Sequence, residues 1–238
     1  MNKLILFSSG LDSTFLVYKA LKEGHSVYVV YTDILNNVDK SKIEKQNIQK
    51  LVELFREEFG NDKLININEC GYKNDEVLYE NTYQSIRSHT RYYEGKRYNS
   101  SSVDLKQSLY HLMVISTNLF VDNNYNFFDE IEIGYIMNDG ALSYLKEIKN
   151  AYKSLCKLTF VNGKEKYPKL KFPLIKTQKK IILDILPEKY VKFVWTCEIP
   201  ILNNDNIEMC GCCEPCKKLI SCEIFNRFTK SFKLDVVS

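Results

Sequence analysis

An α/β fold built on a parallel sheet is predicted by three features of the sequence. A strand, a helix and a second strand follow one another within residues 4–31. The same alternation then continues, with apolar residues at helical spacing over 41–59, 103–120 and 141–158 and short β-rich runs at 63–68 and 130–136. Near residue 191 the composition changes and cysteines crowd together. Two strands joined by a crossover helix run parallel, so the opening unit sets the sheet type.

The elements read in order as follows. Residues 4–7 are an apolar run that ends in Ser8-Ser9-Gly10, which predicts a buried strand and a turn. Asp12 or Ser13 is expected to cap the next helix, whose apolar face carries Phe15, Leu16, Ala20 and Leu21 and which stops at Gly24. Residues 27–31 form the second strand and 63–68 the third. Residues 71–102 are polar and tyrosine-rich without a period and read as loop and short helices. A helix follows at 103–120, a fourth strand at 130–136, a helix at 141–158 and another at 177–186, stopped by Pro187.

A chain of 238 residues suits one domain or a domain with an appendage. The expected division is a main domain over 1–190 and a small C-terminal metal-binding segment over 191–238. Hydrophobic residues at 45% and charged residues at 26% fit a globular protein. A net charge of +3 is too mild to predict direct nucleic-acid binding. No apolar run approaches the roughly 20 residues that span a bilayer, and residues 1–7 lack the features of an export signal. A cytoplasmic, reducing location is therefore expected. Eight cysteines in such a compartment point to metal or chemistry before disulfides.

The segment Ser8-Ser9-Gly10-Leu11-Asp12-Ser13-Thr14 joins a buried strand to a helix. A helix start presents unpaired N–H groups and partial positive charge, and small residues let an anion approach them. Ser8, Ser13 and Thr14 add hydroxyls. The expected ligand is phosphate or pyrophosphate. Asp12 would repel a phosphate, so its natural task is to hold Mg²⁺ bridging phosphate oxygens. The plainer reading is a capped turn. The segment is not a Walker loop, since no Gly-Lys-Ser/Thr follows.

Residues 8–13 resemble the Ser-Gly-Gly-X-Asp-Ser loop of the N-type ATP pyrophosphatases, with Ser9 in place of the first glycine. That resemblance implies a Rossmann-like doubly wound sheet of five parallel strands (adenine nucleotide alpha hydrolase-like) with helices on both faces. It also implies ATP as co-substrate and release of pyrophosphate into the loop. Asp33 matches an acidic position that receives the adenosine, or is a plain strand-end residue.

Cys210, Cys213 and Cys216 form two overlapping Cys-x-x-Cys steps, and Cys197 can supply a fourth thiolate. Four thiolates suit tetrahedral Zn²⁺ in a closed, structural site. An iron–sulfur cluster or a redox pair would also use such cysteines. Cys212 reads as a bystander, Cys222 as a packed small hydrophobe, and Cys70 and Cys156 as core thiols.

Trp195-Thr196-Cys197 followed by Cys210-Gly211-x-Cys213-x-x-Cys216 resembles the C-terminal zinc motif of the 7-cyano-7-deazaguanine synthase (QueC) family. Pro173-Leu174-Ile175 with Lys179, and Ile133-Gly134 with Asp139, are similar to two further family segments. The resemblance implies a homodimer that adenylates 7-carboxy-7-deazaguanine and then forms an amide or nitrile with a nitrogen nucleophile. Gly134 and Asp139 would line the substrate site, and Lys179 with Asp12 would act on the departing charge. The middle of the chain departs from the family: residues 34–38 and 140–145 lack its motifs. Relatives in antiphage systems join a deazaguanine to a protein amine, which keeps a protein acceptor open. A tRNA-modifying relative of the same loop chemistry, and a catalytically silent, zinc-stabilised binding protein, are also compatible with the sequence. His25, His89 and His111 stand in no ligand or triad spacing and read as structural or surface residues. The tyrosines of residues 92–98 with Arg91, Lys96 and Arg97 read as a loop closing over the site, and Lys176, Lys179 and Lys180 as a solvated face rather than a nucleic-acid patch.

Overall fold

The structure, a computed structural model, describes residues 1–31, 37–66, 111–112, 115, 127–137, 139–159, 167–203, 206–229 and 231–233. The chain opens with β1 (Asn2–Leu6), α1 (Leu11–Lys22), β2 (Ser26–Val30), α2 (Val38–Phe59) and β3 (Leu64–Asn66). Helical residues at 111, 112 and 115 precede β4 (Glu130–Glu132). A 3₁₀ turn (Gly140–Tyr144), α3 (Leu145–Thr159), β5 (Lys169–Lys171), α4 (Lys179–Ile185) and α5 (Glu188–Val191) follow.

These five strands form one sheet in the order β3-β2-β1-β4-β5, and every pair is parallel. β1 lies at the centre, with Leu4 paired to Tyr28 on one side and to Ile131 on the other. Leu4 and Ile5 are fully buried but enter different apolar clusters. Successive strand residues point to opposite faces, so both faces are covered and the strand needs no polar alternation. One face packs Leu16 of α1 and Leu51 and Phe55 of α2; the other packs Ile148 and Tyr152 of α3. The sheet is therefore doubly wound with five parallel strands.

The chain moves outward from β1 to β3 and then returns to the other side of β1 as β4. That reversal is a topological switch point, and the crevice beyond the C-terminal ends of β1 and β4 is where such sheets take ligands.

Several expectations about elements change. The cap of α1 is Gly10, with no side-chain hydrogen bond, so neither Asp12 nor Ser13 caps the helix. α2 begins earlier, because Asn37 Oδ1 accepts the N–H groups of Asp39 and Lys40 at 3.1 Å each. The fourth strand ends at Glu132, and the chain curls as Tyr135 N–H returns to Ile133 C=O (3.0 Å). The fifth strand that the resemblance implied falls at β5, a segment to which the sequence reading assigned no element. A three-stranded antiparallel sheet of β6 (Ile201–Asn203), β7 (Asn206–Glu208) and β8 (Ser231–Lys233), which accompanies α6 (Glu214–Ser221), was not expected. Ile207 and Phe232 of that small sheet share the apolar cluster of α1 and α2, and Trp195 meets Phe232 edge-on at 5.6 Å. Among the described residues no helix is long and apolar enough to cross a membrane. Residues 71–102, with Cys70, His89 and the tyrosine segment, lie outside the described part.

Candidate functional site

A cleft of about 230 Å³ opens at the switch point. Its floor is Phe7, Ser8 and Gly10–Ser13. One wall carries His111, Gly134, Tyr135 and Asp139, the other Lys40, Ser41 and Glu44, and Lys179, Thr196 and Glu198 reach in from the rest of the chain.

The loop after β1 has an unusual backbone. Ser9 adopts φ +54°, the left-handed region that glycine enters most easily. Its carbonyl accepts Trp195 N–H at 3.0 Å, which holds the conformation from outside the loop. Ser13 Oγ donates to Gly10 C=O (3.2 Å) and accepts Ser8 N–H (3.4 Å). The first intrahelical bond is Thr14 N–H to Gly10 C=O (2.9 Å), so the amides of Leu11, Asp12 and Ser13 precede the helical ladder. Gly134 packs its Cα against this turn: a Cβ there would stand 3.2 Å from Asp12 C and Ser13 N. The glycine is required by that close approach, whatever it does for a substrate.

Asp12 projects from the first turn of α1 with a side chain 22% exposed, and its Oδ2 lies 3.7 Å from Lys179 Nζ. Its Oδ1 is buried without a hydrogen-bond partner among the described residues. Burial pushes its pKa up to about 6; Lys179 opposes that shift and Asp139 adds to it. Ser9 Oγ, Thr14 Oγ1 and Thr196 Oγ1 are also buried without partners among the described residues. Of these groups Asp12 and Thr196 line the cleft, where a bound ligand would satisfy them, whereas Ser9 and Thr14 are not among its lining residues.

Lys179 opens α4 and is only 18% exposed, so it is not part of a solvated face. Asp139 lines the cleft while its Oδ1 accepts Ala141 N–H (3.0 Å), capping the 3₁₀ turn. Asp33 lies outside the described residues.

Two groups in the cleft were not anticipated from sequence. His111, expected to be structural or at the surface, lines the cleft with Nδ1 2.8 Å from Tyr135 Oη. Burial pushes its pKa down to about 4 and raises that of Tyr135, so both are neutral near pH 7. Lys40 pairs with Glu198 (2.5 Å) and Glu44 (3.8 Å). Burial works against its charge, but the two carboxylates outweigh it and hold the pKa above the ordinary value. The His111–Tyr135 and Lys40–Glu198 partners stand 24 and 158 residues apart, and no spacing rule in a single sequence reaches that far.

Beside the cleft, the Sγ atoms of Cys197, Cys210, Cys213 and Cys216 lie within 4.8 Å of one another. Cys197 Sγ is 3.5 Å from Cys210 Sγ and 3.9 Å from Cys213 Sγ. Cys210 N–H donates to Cys197 Sγ (3.3 Å), and the N–H groups of Cys212 and Cys213 donate to Cys210 Sγ (3.4 and 3.2 Å). Burial works to raise the Cys210 pKa, but these amides bring it down to about 6, whereas burial pushes Cys197 up to about 12. Zn–S bonds near 2.3 Å in a tetrahedron place sulfurs about 3.8 Å apart, close to the separations of Cys197 Sγ from Cys210 Sγ and Cys213 Sγ. Cys212 is exposed and Cys156 buried. Cys222 is exposed too, which corrects its expected burial: it follows the last turn of α6 and faces outward.

No protein-family model and no curated protein sequence matches the chain. Solved structures with some likeness include a U34-tRNA thiolase, NcsA, from Methanococcus maripaludis, described with its [4Fe-4S] cluster. It has a TM-score of 0.41 and 16% identity over 77% of this chain. This chain spans 55% of the thiolase. A predicted subunit of a tRNA methyltransferase from Methanocaldococcus jannaschii has a TM-score of 0.41 and 13% identity, over 100% of this chain and 97% of that one.

Proposed function

We propose that the chain is an ATP-dependent enzyme that adenylates the carboxylate of a planar heterocycle, 7-carboxy-7-deazaguanine, releases pyrophosphate and passes the acyl group to a nitrogen nucleophile. The observation that carries this reading is the turn at residues 8–13. It joins helix-start amides, a buried unpartnered Asp12 oxygen and the Lys179 ammonium in one switch-point cleft.

The chemistry asks for such an arrangement. A carboxylate oxygen attacks the α-phosphorus of ATP, the bond to the bridging oxygen breaks, and pyrophosphate leaves with its negative charge. The amides of Leu11, Asp12 and Ser13 are aimed to receive phosphate oxygens. Lys179 stands where it can take up charge from the leaving group. Asp12 Oδ1 is the free oxygen that would hold Mg²⁺, which when bound neutralises phosphate charge. The neutral pair His111–Tyr135 suits hydrogen bonding to an uncharged heterocycle edge, and Asp139 can accept from ring N–H groups. The amine then attacks the acyl adenylate, AMP leaves, and the nitrogen gives up a proton. The four-cysteine cage would hold Zn²⁺ as a closed site with no position open to a substrate. The loop and cysteine motifs of the sequence support the same reading.

The test is release of pyrophosphate from ATP, with and without 7-carboxy-7-deazaguanine. Release that requires the acid, and that falls by a factor of roughly 10³ in Asp12→Asn, is expected. Release indifferent to the acid, or unchanged in that variant, would refute the assignment.

A further inference from the structure

The four-cysteine cage and the phosphate turn are joined by four consecutive residues, each committed to one of the two sites. Trp195 N–H donates to Ser9 C=O (3.0 Å), the residue held at φ +54°. Thr196 lines the cleft with a buried Oγ1 that has no partner among the described residues. Cys197 is a cage thiol whose Sγ accepts Cys210 N–H. Glu198 pairs with Lys40 on the far wall of the cleft. Trp195 Nε1–H also donates to Cys197 C=O (2.9 Å), which closes residues 195–197 into a stiff turn.

From this geometry we infer that residues 195–198 act as a strap through which metal in the cysteine cage sets the shape of the phosphate turn, with Trp195 as the positioning residue. The inference rests on the proposed phosphate role of that turn. A left-handed serine is a strained conformation that persists only where its surroundings over-determine it. Here the determining contact comes from a residue two places before a metal ligand. Cys197 cannot shift without breaking a metal bond, so Trp195 cannot withdraw from Ser9 while the cage is filled. With the cage empty, the strap can relax and the turn can leave the conformation that presents its amides. Coupling of this kind is reciprocal: a ligand on the turn tightens metal binding by the same factor that metal tightens the ligand.

The test titrates Mg²⁺-pyrophosphate into zinc-loaded protein, chelator-stripped protein and zinc-loaded Trp195→Phe, and follows hydrogen exchange at the amides of Thr14 and Trp195. Stripping should weaken pyrophosphate binding at least tenfold and speed exchange at both amides while those of Leu4 and Ile5 stay protected. Trp195→Phe loses the indole bond to Cys197. It should keep one zinc per chain yet bind pyrophosphate at least threefold more weakly. Unchanged affinity and exchange in the stripped protein overturns the coupling. If stripping also exposes β1, the Trp195→Phe arm decides in the same way, with unchanged affinity and exchange overturning it. Absence of pyrophosphate binding to the loaded wild-type chain would refute the phosphate reading instead, and exchange at Thr14 and Trp195 would still decide whether the strap works.

Discussion

Asp12 stands in the first turn of α1 with one carboxylate oxygen near Lys179 and the other buried without a partner among the described residues. Its pKa of about 6, against an ordinary 3.8, means that the folded chain binds a proton there more tightly than the unfolded chain does. Folding stability from this group therefore falls as pH rises from about 4 to about 6 and is level above that range. Asp12→Asn removes the penalty. Without nucleotide or metal, the variant should be more stable than the wild type at pH 7.5 by on the order of 1–3 kcal/mol, with the difference vanishing near pH 4. Paired denaturant melts at the two pH values check this, and a variant less stable at pH 7.5 would contradict the buried, unfavourable charge. Asp12 was legible in the sequence as a group out of place beside a phosphate turn. Its freedom from capping was not, because only the backbone of Gly10 shows which residue opens the helix. His111 and Lys40 were not legible at all, since burial and a distant partner give each its character.

Among the elements, β1 and β4 share a buried ion pair, Lys3 Nζ to Glu132 Oε1 at 2.7 Å, with both side chains under one-tenth exposed. Removing Glu132 leaves the buried Lys3 ammonium only its longer pairs to Glu130 (3.8 Å) and Glu23 (4.0 Å), whereas replacing both Lys3 and Glu132 by apolar residues removes the buried charges together. Glu132→Ala should cost up to about 3 kcal/mol, since Glu130 and Glu23 stay near the ammonium, and Lys3→Met with Glu132→Leu should recover most of it, as read by denaturant unfolding. A double variant no more stable than the single would show that the pair is a net stabiliser. The strands and helices that pack on β1 were legible because both their length and apolar period are plain, as in residues 4–7 and 41–59. β5 was hidden. It is three residues long, Lys169-Leu170-Lys171, with an edge position that leaves both lysines exposed and no run of apolar residues to mark it. The small sheet β6-β7-β8 was hidden for the same reason, since every residue of β6 is exposed.

Across the whole molecule, the C-terminal segment does not stand apart: Cys213, Cys216, Leu219 and Phe232 share one apolar cluster with Phe15, Leu16 and Phe55. The purified chain should carry one Zn²⁺, and Cys213→Ala should lose it along with several kcal/mol of stability. Metal analysis and thermal melts decide this; a brown, iron-containing protein would overturn zinc. The cysteine spacing picked out the members of the cage because three of the four lie in seven residues. What it did not show is that the fourth lies on the strap reaching Ser9, a relation that depends on the whole path of the chain.

The most direct test of the account is a crystal structure of the chain with ATP and Mg²⁺. The β- and γ-phosphates are expected against the amides of Leu11, Asp12 and Ser13, with the metal on Asp12 and the Lys179 ammonium beside the phosphates. A nucleotide bound elsewhere, with the turn at residues 8–13 facing only water, would contradict it.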